Sequence, residues 1–565
     1  MMYPKLPSRA AITAPFQSKE AFVDFIRAPE NPIGGEHVVG NPRWSNKDLE
    51  PTAVEQRTWT WYNLPLYWAS GEFGTAGWSA ASSLITIGMA SSSMSSQEEL
   101  NEVELILLGY PVICRSIMGM YGSYFFIFIR AAICIVWYGI QTYYAANLMS
   151  VCLRCMFGHD WESLANTLPA SANVTSQQLL CFFLVWLMEL PFCFIHPAQI
   201  RHLFTVKGLI MPLTTFGLFG WCMAHGTGLK AADAVSKEAG SAAGGSLGWA
   251  VMTGINVIMG TLSPLLINQP DLARYCKFPR DAGWIQGVSV VVAKTVTLFL
   301  GLASTASMQG VWGVAYWNLW DLLDAILDHH WTPAARTAVW LVSFSYILSC
   351  FATNFGANSV PFGADCTGLA PKFMTIRRGQ ILCAILGAAL VPWELLANAE
   401  KFLTFLGSYN IFMAPLCAIF IMHYIFGLKG NIHVPSLYDG SKTGLYHYWA
   451  GINWFAIFAW VGGVVTGLPG LVGVFQPKLA SEAAIHMYNM GWVLTFVTAA
   501  TIYYVCTLVW KPKVFPRGYE DIPVTWEYLA SPYGRDGFFD GERSSVHGSP
   551  DSGSVEEVQI ELGEK

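Results

Sequence analysis

The sequence predicts an all-α polytopic membrane protein, and three observations carry that prediction. Of its 565 residues, 53% are hydrophobic and only 12% are charged, whereas a soluble domain carries roughly 25% charged residues. The apolar residues arrive in blocks of about twenty, the length that spans a hydrocarbon core roughly 30 Å thick. Inside lipid no water can satisfy a backbone N–H or C=O, so each block must close its own hydrogen bonds as a helix.

Such blocks lie at approximately 61–90, 121–149, 179–196, 203–225, 247–268, 284–306, 337–357, 379–397, 402–427, 449–474 and 487–509. Residues 1–58 are polar and read as a cytosolic N-terminal segment with no cleavable signal peptide. A short amphipathic helix is expected there around "SKEAFVDFIRAPE". Residues 59–510 form the transmembrane domain. Residues 511–565, rich in Pro, Gly, Ser and acids, read as a disordered cytosolic tail. The basic loops and ends "HPAQIRHLFTVK", "ARYCKFPRDAG", "PKFMTIRRG" and "WKPKVFPRG" alternate with less basic ones. The excess of Lys and Arg marks the cytoplasmic side, which puts both termini inside. The sequon Asn173-Val174-Thr175 falls in a loop that this count puts outside.

One region breaks the parity. The segment before the first span and the loop around Arg115 both read as inside, yet only the span ending near Ala90 lies between them. The intervening "SSSMSSQEELNEVELILLGYPVIC" offers about a dozen apolar residues, roughly 18 Å of helix against a core of about 30 Å. A membrane helix is missing here.

Composition and motifs exclude several classes. The net charge of −6 is small and spread out, so no nucleic-acid partner is expected. The 13 Cys sit mostly inside apolar blocks and read as small buried hydrophobes. Cys152 and Cys155 form a CxxC, but no second pair lies nearby to complete a zinc site, and no metal is expected. The spans carry no HExxH, no GxSxG and no paired carboxylates, so an enzyme is not expected.

Polar and helix-breaking residues concentrate at four places in the spans. In "YWASGEFGTAGWSAASSLITIGM", Gly71, Gly74 and Gly77 interrupt an apolar run around Glu72. A weakened helix there frees carbonyls that can coordinate a cation; close packing through small residues is the alternative. In "VWYGIQTYYAANL", Trp137 and Gln141 are four apart and share a helix face, offering a stacking ring beside an amide. In "GINVIMGTLSPLLINQPDLARY", Gly260 and Pro264 flank a mid-membrane break, or a simple proline kink, with Asn256 and Thr261 nearby. "SCFATNFGANSVPFGAD" gathers Ser349, Thr353, Asn354 and Asn358, followed by Pro361 and Asp365. Two Asn aligned on an otherwise apolar helix need partners, either a ligand or a neighbouring helix.

At these residues the chain resembles the nucleobase:cation symporter-1 family, in particular its fungal uracil/allantoin permease-like branch. The resemblance rests on "NPRWSNKDLEPTAVEQRTWTWYNLPLYWAS", "ASSLI", "YPVICRS", "WYGIQTYYAA", "NQPDLARY", "TNFGANSVPFGAD" and "FLGSYNIFMAP", in family order over about residues 42–440. It implies a five-helix inverted-repeat (5+5) transporter fold plus two C-terminal helices, with the site at broken first and sixth helices. The family's second helix normally lies between Gly88-Met89 and the "YPV" motif, where the parity gap falls, so it is missing from this sequence. The resemblance further implies that Trp137 stacks on the substrate ring, that Gln141 and Asn358 hydrogen-bond it, and that Asn354 and Thr261 belong to the same substrate site. A cation site matches Ser70 and Phe73 of the first helix with Ser349, Ala352 and Thr353 of the eighth, and a gate matches Leu403, Leu406 and Tyr409. Ala352 removes one oxygen ligand that sodium-binding members tend to have, which favours H+ over Na+ as coupling ion. Gly74 stands where a family amide often contacts substrate, and Thr261 replaces a lysine whose acidic partner position is kept as Asp365.

The expectation is a secondary active transporter in the plasma membrane, importing a small heterocyclic substrate such as uracil, allantoin, uridine or a thiamine-like ring across the lipid bilayer. Its rivals are a transport-inactive or truncated paralogue or isoform lacking one membrane helix, and an amino-acid carrier of the same general fold.

Overall fold

The computed structural model describes residues 43–84, 108–228 and 247–516, apart from 196, 279, 280, 282 and 284, together with 23, 27, 28 and 524–526. The expected missing span, the amphipathic N-terminal helix and most of the C-terminal tail fall outside the described residues. Those described are all-helical, and nine of their helices are long and apolar enough to cross a membrane.

The first span is split into α1 (Asn63–Glu72) and α2 (Thr75–Ser83). There follow α3 (Tyr110–Met118), α4 (Gly122–Phe157), α5 (Ser176–Glu189), α6 (Arg201–His225), α7 (Leu247–Ala273) and α8 (Ile285–Trp312). Helix α9 (Leu319–His329) precedes α10 (Pro333–Thr353), which passes through a π-helical turn, Asn354–Ser359, into α11 (Val360–Leu369). Helices α12 (Ile376–Ala389), α13 (Ala399–Met422), α14 (Trp454–Phe475) and α15 (Gly491–Val509) complete the bundle.

The outward faces are apolar: Leu213, Phe458 and Val509 are exposed to 77%, 64% and 84%. A continuous surface of this kind is untenable in water and natural against lipid tails. Inside, small residues bring backbones into contact. A Cβ on Gly379 would lie 2.5 Å from the Gly363 Cα, so α12 and α11 touch main chain to main chain.

Both ends of the bundle are tied by polar contacts. At one end the segment before α1 straps across several helices. Asn46 Nδ2 donates to the Pro371 and Met374 carbonyls, the Ile376 N–H donates to Asp48, and Arg274 donates to the Asp48 and Glu50 carbonyls. At the opposite end Arg154 of α4 pairs with Glu162 and with Asp324 and Asp328 of α9.

Two expectations are corrected. Helix α7 runs unbroken through Pro264. Gly260 serves packing there, since a Cβ on it would lie 2.8 Å from the Leu406 carbonyl oxygen of α13. The second irregularity sits instead in the eighth span (α10–α11, counting the family's second helix), where Pro361 has no N–H to give the Ala357 carbonyl four residues back. That carbonyl accepts from Asn268 Nδ2 at 2.7 Å, and the ladder widens into a π turn. Lys207, which the sequence reading assigned to a basic cytoplasmic loop, lies within α6 with its side chain buried.

Candidate functional site

The site grows from these two irregular turns. The ladder of the first span stops at Phe73, and Gly74 takes an extended conformation, φ −113° and ψ 171°, before α2 begins. Only glycine fits: a Cβ on Gly74 would lie 2.9 Å from the Gly71 carbonyl oxygen, and one on Gly77 would lie 2.6 Å from that of Glu72. Across from this break, the π turn tilts Asn354 and Asn358 toward α4. Gly356 is also required there, because a Cβ on it would lie 2.5 Å from the Phe204 ring.

A cavity of about 50 Å³ lies between the two turns. Its walls come from five stretches distant in sequence: Glu72 and Gly74 from the first span, Trp137 and Gln141 from α4, Thr261 and Pro264 from α7, Lys294 from α8, and Thr353 and Asn358 from the eighth span. Trp137 gives a flat wall, its ring centroid 6.0 Å from that of Phe405. Gln141 is buried, and its amide has no protein partner among the described residues. Such a group is costly unless something completes it, which marks it as a ligand-facing amide.

Asn358 is held from behind by a polar relay. Its Nδ2 donates to Asn354 Oδ1 at 2.9 Å. Asn354 Nδ2 in turn donates to Thr142 Oγ1 and Glu189 Oε1, at 3.1 and 3.0 Å, and Thr142 donates to Glu189 Oε2 at 2.8 Å. Asn354 therefore does not line the cavity. It fixes the Asn358 amide, whose oxygen is left for a ligand, and Glu189 of α5 fixes Asn354.

Of the five residues matched to a cation site, Ser349 lies beside the break, its Oγ 3.6 Å from where a Cβ on Gly74 would sit, and Thr353 lines the cavity. Ser349 Oγ is buried without a hydrogen-bond partner, while Ser70 Oγ donates to the Tyr67 carbonyl. Thr353 Oγ1, however, accepts from Lys207 Nζ at 2.6 Å. The Lys207 side chain thus reaches from α6 to one of the matched oxygens. Leu403, Leu406 and Tyr409 are buried on α13 and do not line the cavity, while Phe405 of the same helix packs against the rings of both Trp137 and Tyr409.

The sequence reading missed Lys207, Lys294 and Glu189. Each is a single charge in an apolar run ("FTVKGLIM", "VVVAKTVTL", "WLMELPF"), and that alone is a signal, because an ionisable residue inside a span needs a partner or a pathway. Lys294 Nζ donates to Glu72 Oε2 at 2.5 Å and to Thr261 Oγ1 at 2.9 Å. Asp365 pairs with Arg130 of α4 at 2.6 Å.

The fold and sequence have known counterparts. The structure of Mhp1, a nucleobase-cation-symport-1 family transporter, in a closed conformation with bromovinylhydantoin bound, matches with a TM-score of 0.55. The match covers 84% of this chain and 98% of that one at 18% identity, a likeness of fold. The allantoin permease of Saccharomyces cerevisiae is 30% identical over 475 residues, 81% of this chain and 74% of its own length. The uracil permease of the same yeast is 30% identical over 474 residues, 79% and 73% of the two chains. A family model described as permease for cytosine/purines, uracil, thiamine, allantoin matches residues 108–494. These relatives are permeases rather than enzymes, and the chain, an integral multi-pass membrane protein, belongs to this permease family.

Proposed function

We propose that the chain is a secondary active importer of a small planar heterocycle coupled to protons, with Trp137 stacking on the ring while Gln141 and Asn358 hydrogen-bond it. The observation that carries this reading is the unpartnered Gln141 amide, buried on the same cavity as the Trp137 face and the Asn358 amide. The cavity's volume of about 50 Å³ holds on the order of four water-sized groups. That supports a one-ring solute over a ring bearing a sugar. In this cycle Leu403, Leu406 and Tyr409 close over the bound ring, and the bundle rocks to open the cytosolic side, where both termini lie. The cell surface is the proposed location.

Proton coupling is supported by Lys207. Two like charges 3 Å apart repel by about 5 kcal/mol even at an effective dielectric of 20, so Na+ among Ser70, Phe73, Ser349 and Thr353 competes badly with a resident ammonium. Uptake of radiolabelled uracil, allantoin, uridine and thiamine by cells expressing the full chain tests both parts. At least one ring is expected to accumulate, with uptake rising at acidic external pH and unchanged when choline replaces sodium. Lys207→Met is expected to remove the pH dependence. Sodium-dependent uptake contradicts the coupling, and accumulation of none of them contradicts the transport reading.

A second reading, a transport-inactive or truncated isoform, is favoured by the polar stretch "SSSMSSQEELNE" where a second span is expected. Transcript sequencing across residues 90–115 decides: recovery of about twenty apolar codons, one span's worth, supports the importer, and confirmation of the sequence as it stands supports the rival.

A further inference from the structure

We propose that Lys294 and Glu72 form a second recognition wall of this cavity that reads the –CO–NH– edge of a ring. The solute is then a neutral cyclic amide, imide or ureide, and permanently cationic heterocycles are excluded. The inference rests on the importer reading and deepens it.

Both side chains line the cavity, and both are nearly buried, with exposures of 9% and 3%. An ammonium carries three N–H donors. Two of those of Lys294 are used, on Glu72 Oε2 and Thr261 Oγ1. The third has no protein acceptor among the described residues, and Glu72 Oε1 has no protein donor. Arg130, another buried cation of the bundle, is built differently. Every nitrogen of Arg130 is bonded: Nε to both Asp365 oxygens, one terminal nitrogen to Asp271, the other to Asp365 and the Pro361 carbonyl. A pair that only holds helices together is expected to be saturated in that way, since a half-satisfied buried charge is worse than none. The Lys294–Glu72 pair is saturated only by something in the cavity.

An open donor beside an open acceptor is the complement of a ring edge with adjacent C=O and N–H: the carbonyl accepts from Lys294 and the N–H donates to Glu72. An N-alkylated ring cation has no N–H to give at that atom, and its charge faces the Lys294 ammonium. Lys207, on Thr353 of the same cavity, adds a second positive charge. The Glu72 carboxylate is already compensated by Lys294, and Glu189 lies further back, behind Asn354.

The test is binding to the purified full chain, read as ligand-induced thermal stabilisation, with uracil, allantoin, 1,3-dimethyluracil and thiamine as probes. Dimethyluracil keeps the ring and carbonyls of uracil and lacks the N–H. Uracil or allantoin is expected to bind at least tenfold tighter than dimethyluracil and thiamine. The double variant Lys294→Met/Glu72→Gln removes both charges together, so no lone buried ion is left to unfold it. With an unliganded thermal midpoint near that of the wild type, it is expected to bind the cyclic amide at least tenfold more weakly and to lose its preference over dimethyluracil. Equal binding of dimethyluracil or thiamine by the wild type overturns the proposal, as does a double variant with unchanged affinity and preference. If binding vanishes in Asn358→Ala but is untouched in the double variant, the importer site stands and only this wall is wrong. If the wild type binds none of the probes, both readings fail.

Discussion

Arg130→Met is expected to abolish the folded membrane domain. The guanidinium is fully buried and holds Asp365 and Asp271, each at 2.6 Å and each itself buried. It also lies over the Tyr110 ring, 3.9 Å from the centroid, and Asp271 Oδ1 accepts the Tyr110 N–H at 3.1 Å. One side chain of α4 therefore ties α7, α11 and the start of α3. Truncating it leaves two carboxylates unpaired in the bundle interior, at a cost of about 3–5 kcal/mol for breaking such a pair. Domains have roughly 5–15 kcal/mol in all, and two such pairs are broken at once, so the loss is comparable to the whole stability. Arg130→Lys is expected to recover little, because one ammonium cannot reproduce the fork that engages both carboxylates. Monodispersity and thermal midpoint of the detergent-purified protein check this: a midpoint within a few degrees of the wild type would mean that the triad is not what holds these helices.

Asn358→Ala should do the reverse, keeping the fold and removing transport. Asn354 retains its hydrogen bonds to Glu189, Thr142 and the Tyr138 carbonyl, so the relay behind the site survives the substitution. What is lost is the amide it presents to the cavity. A bound ring then buries a polar edge without its partner, which costs about 1–3 kcal/mol, and each 1.4 kcal/mol is tenfold in affinity. Uptake at low solute concentration is expected to fall roughly 5- to 150-fold, with the thermal midpoint and surface expression preserved. Unchanged uptake removes Asn358 from the site.

Much of the architecture is legible in the sequence because lipid imposes a length. The eleven apolar blocks correspond to the nine long helices, the split α1–α2 span and the shorter α12. Trp137 and Gln141 were legible because four-residue spacing is local geometry. The break in the first span was legible because three glycines in seven residues have few other uses. What was not legible is pairing at a distance. Lys294 and Glu72 are 222 residues apart and Arg130 and Asp365 are 235 apart, so a lone charge in an apolar run announces a need without naming its partner. Lys207 was misassigned for a related reason: it follows Arg201 and His202 closely enough to extend a basic loop on paper, while the helix has already begun. The expected break in α7 failed because Gly260 and Pro264 look the same in sequence whether they loosen a helix or let α13 approach it. The π turn is the converse case, since its cause, the missing N–H of Pro361, was visible, but the compensating Asn268 lies on another helix.

The central physical claim is that side chains from the first span, α4, α7, α8 and the eighth span converge on one flat ring in mid-membrane. A cryo-EM map of the full chain with a saturating cyclic amide measures this directly. Planar density is expected against the face of Trp137, within hydrogen-bond distance of Gln141 and Asn358. Density elsewhere in the bundle, or an empty cavity with Gln141 turned to a protein partner while the ligand demonstrably binds, would contradict it.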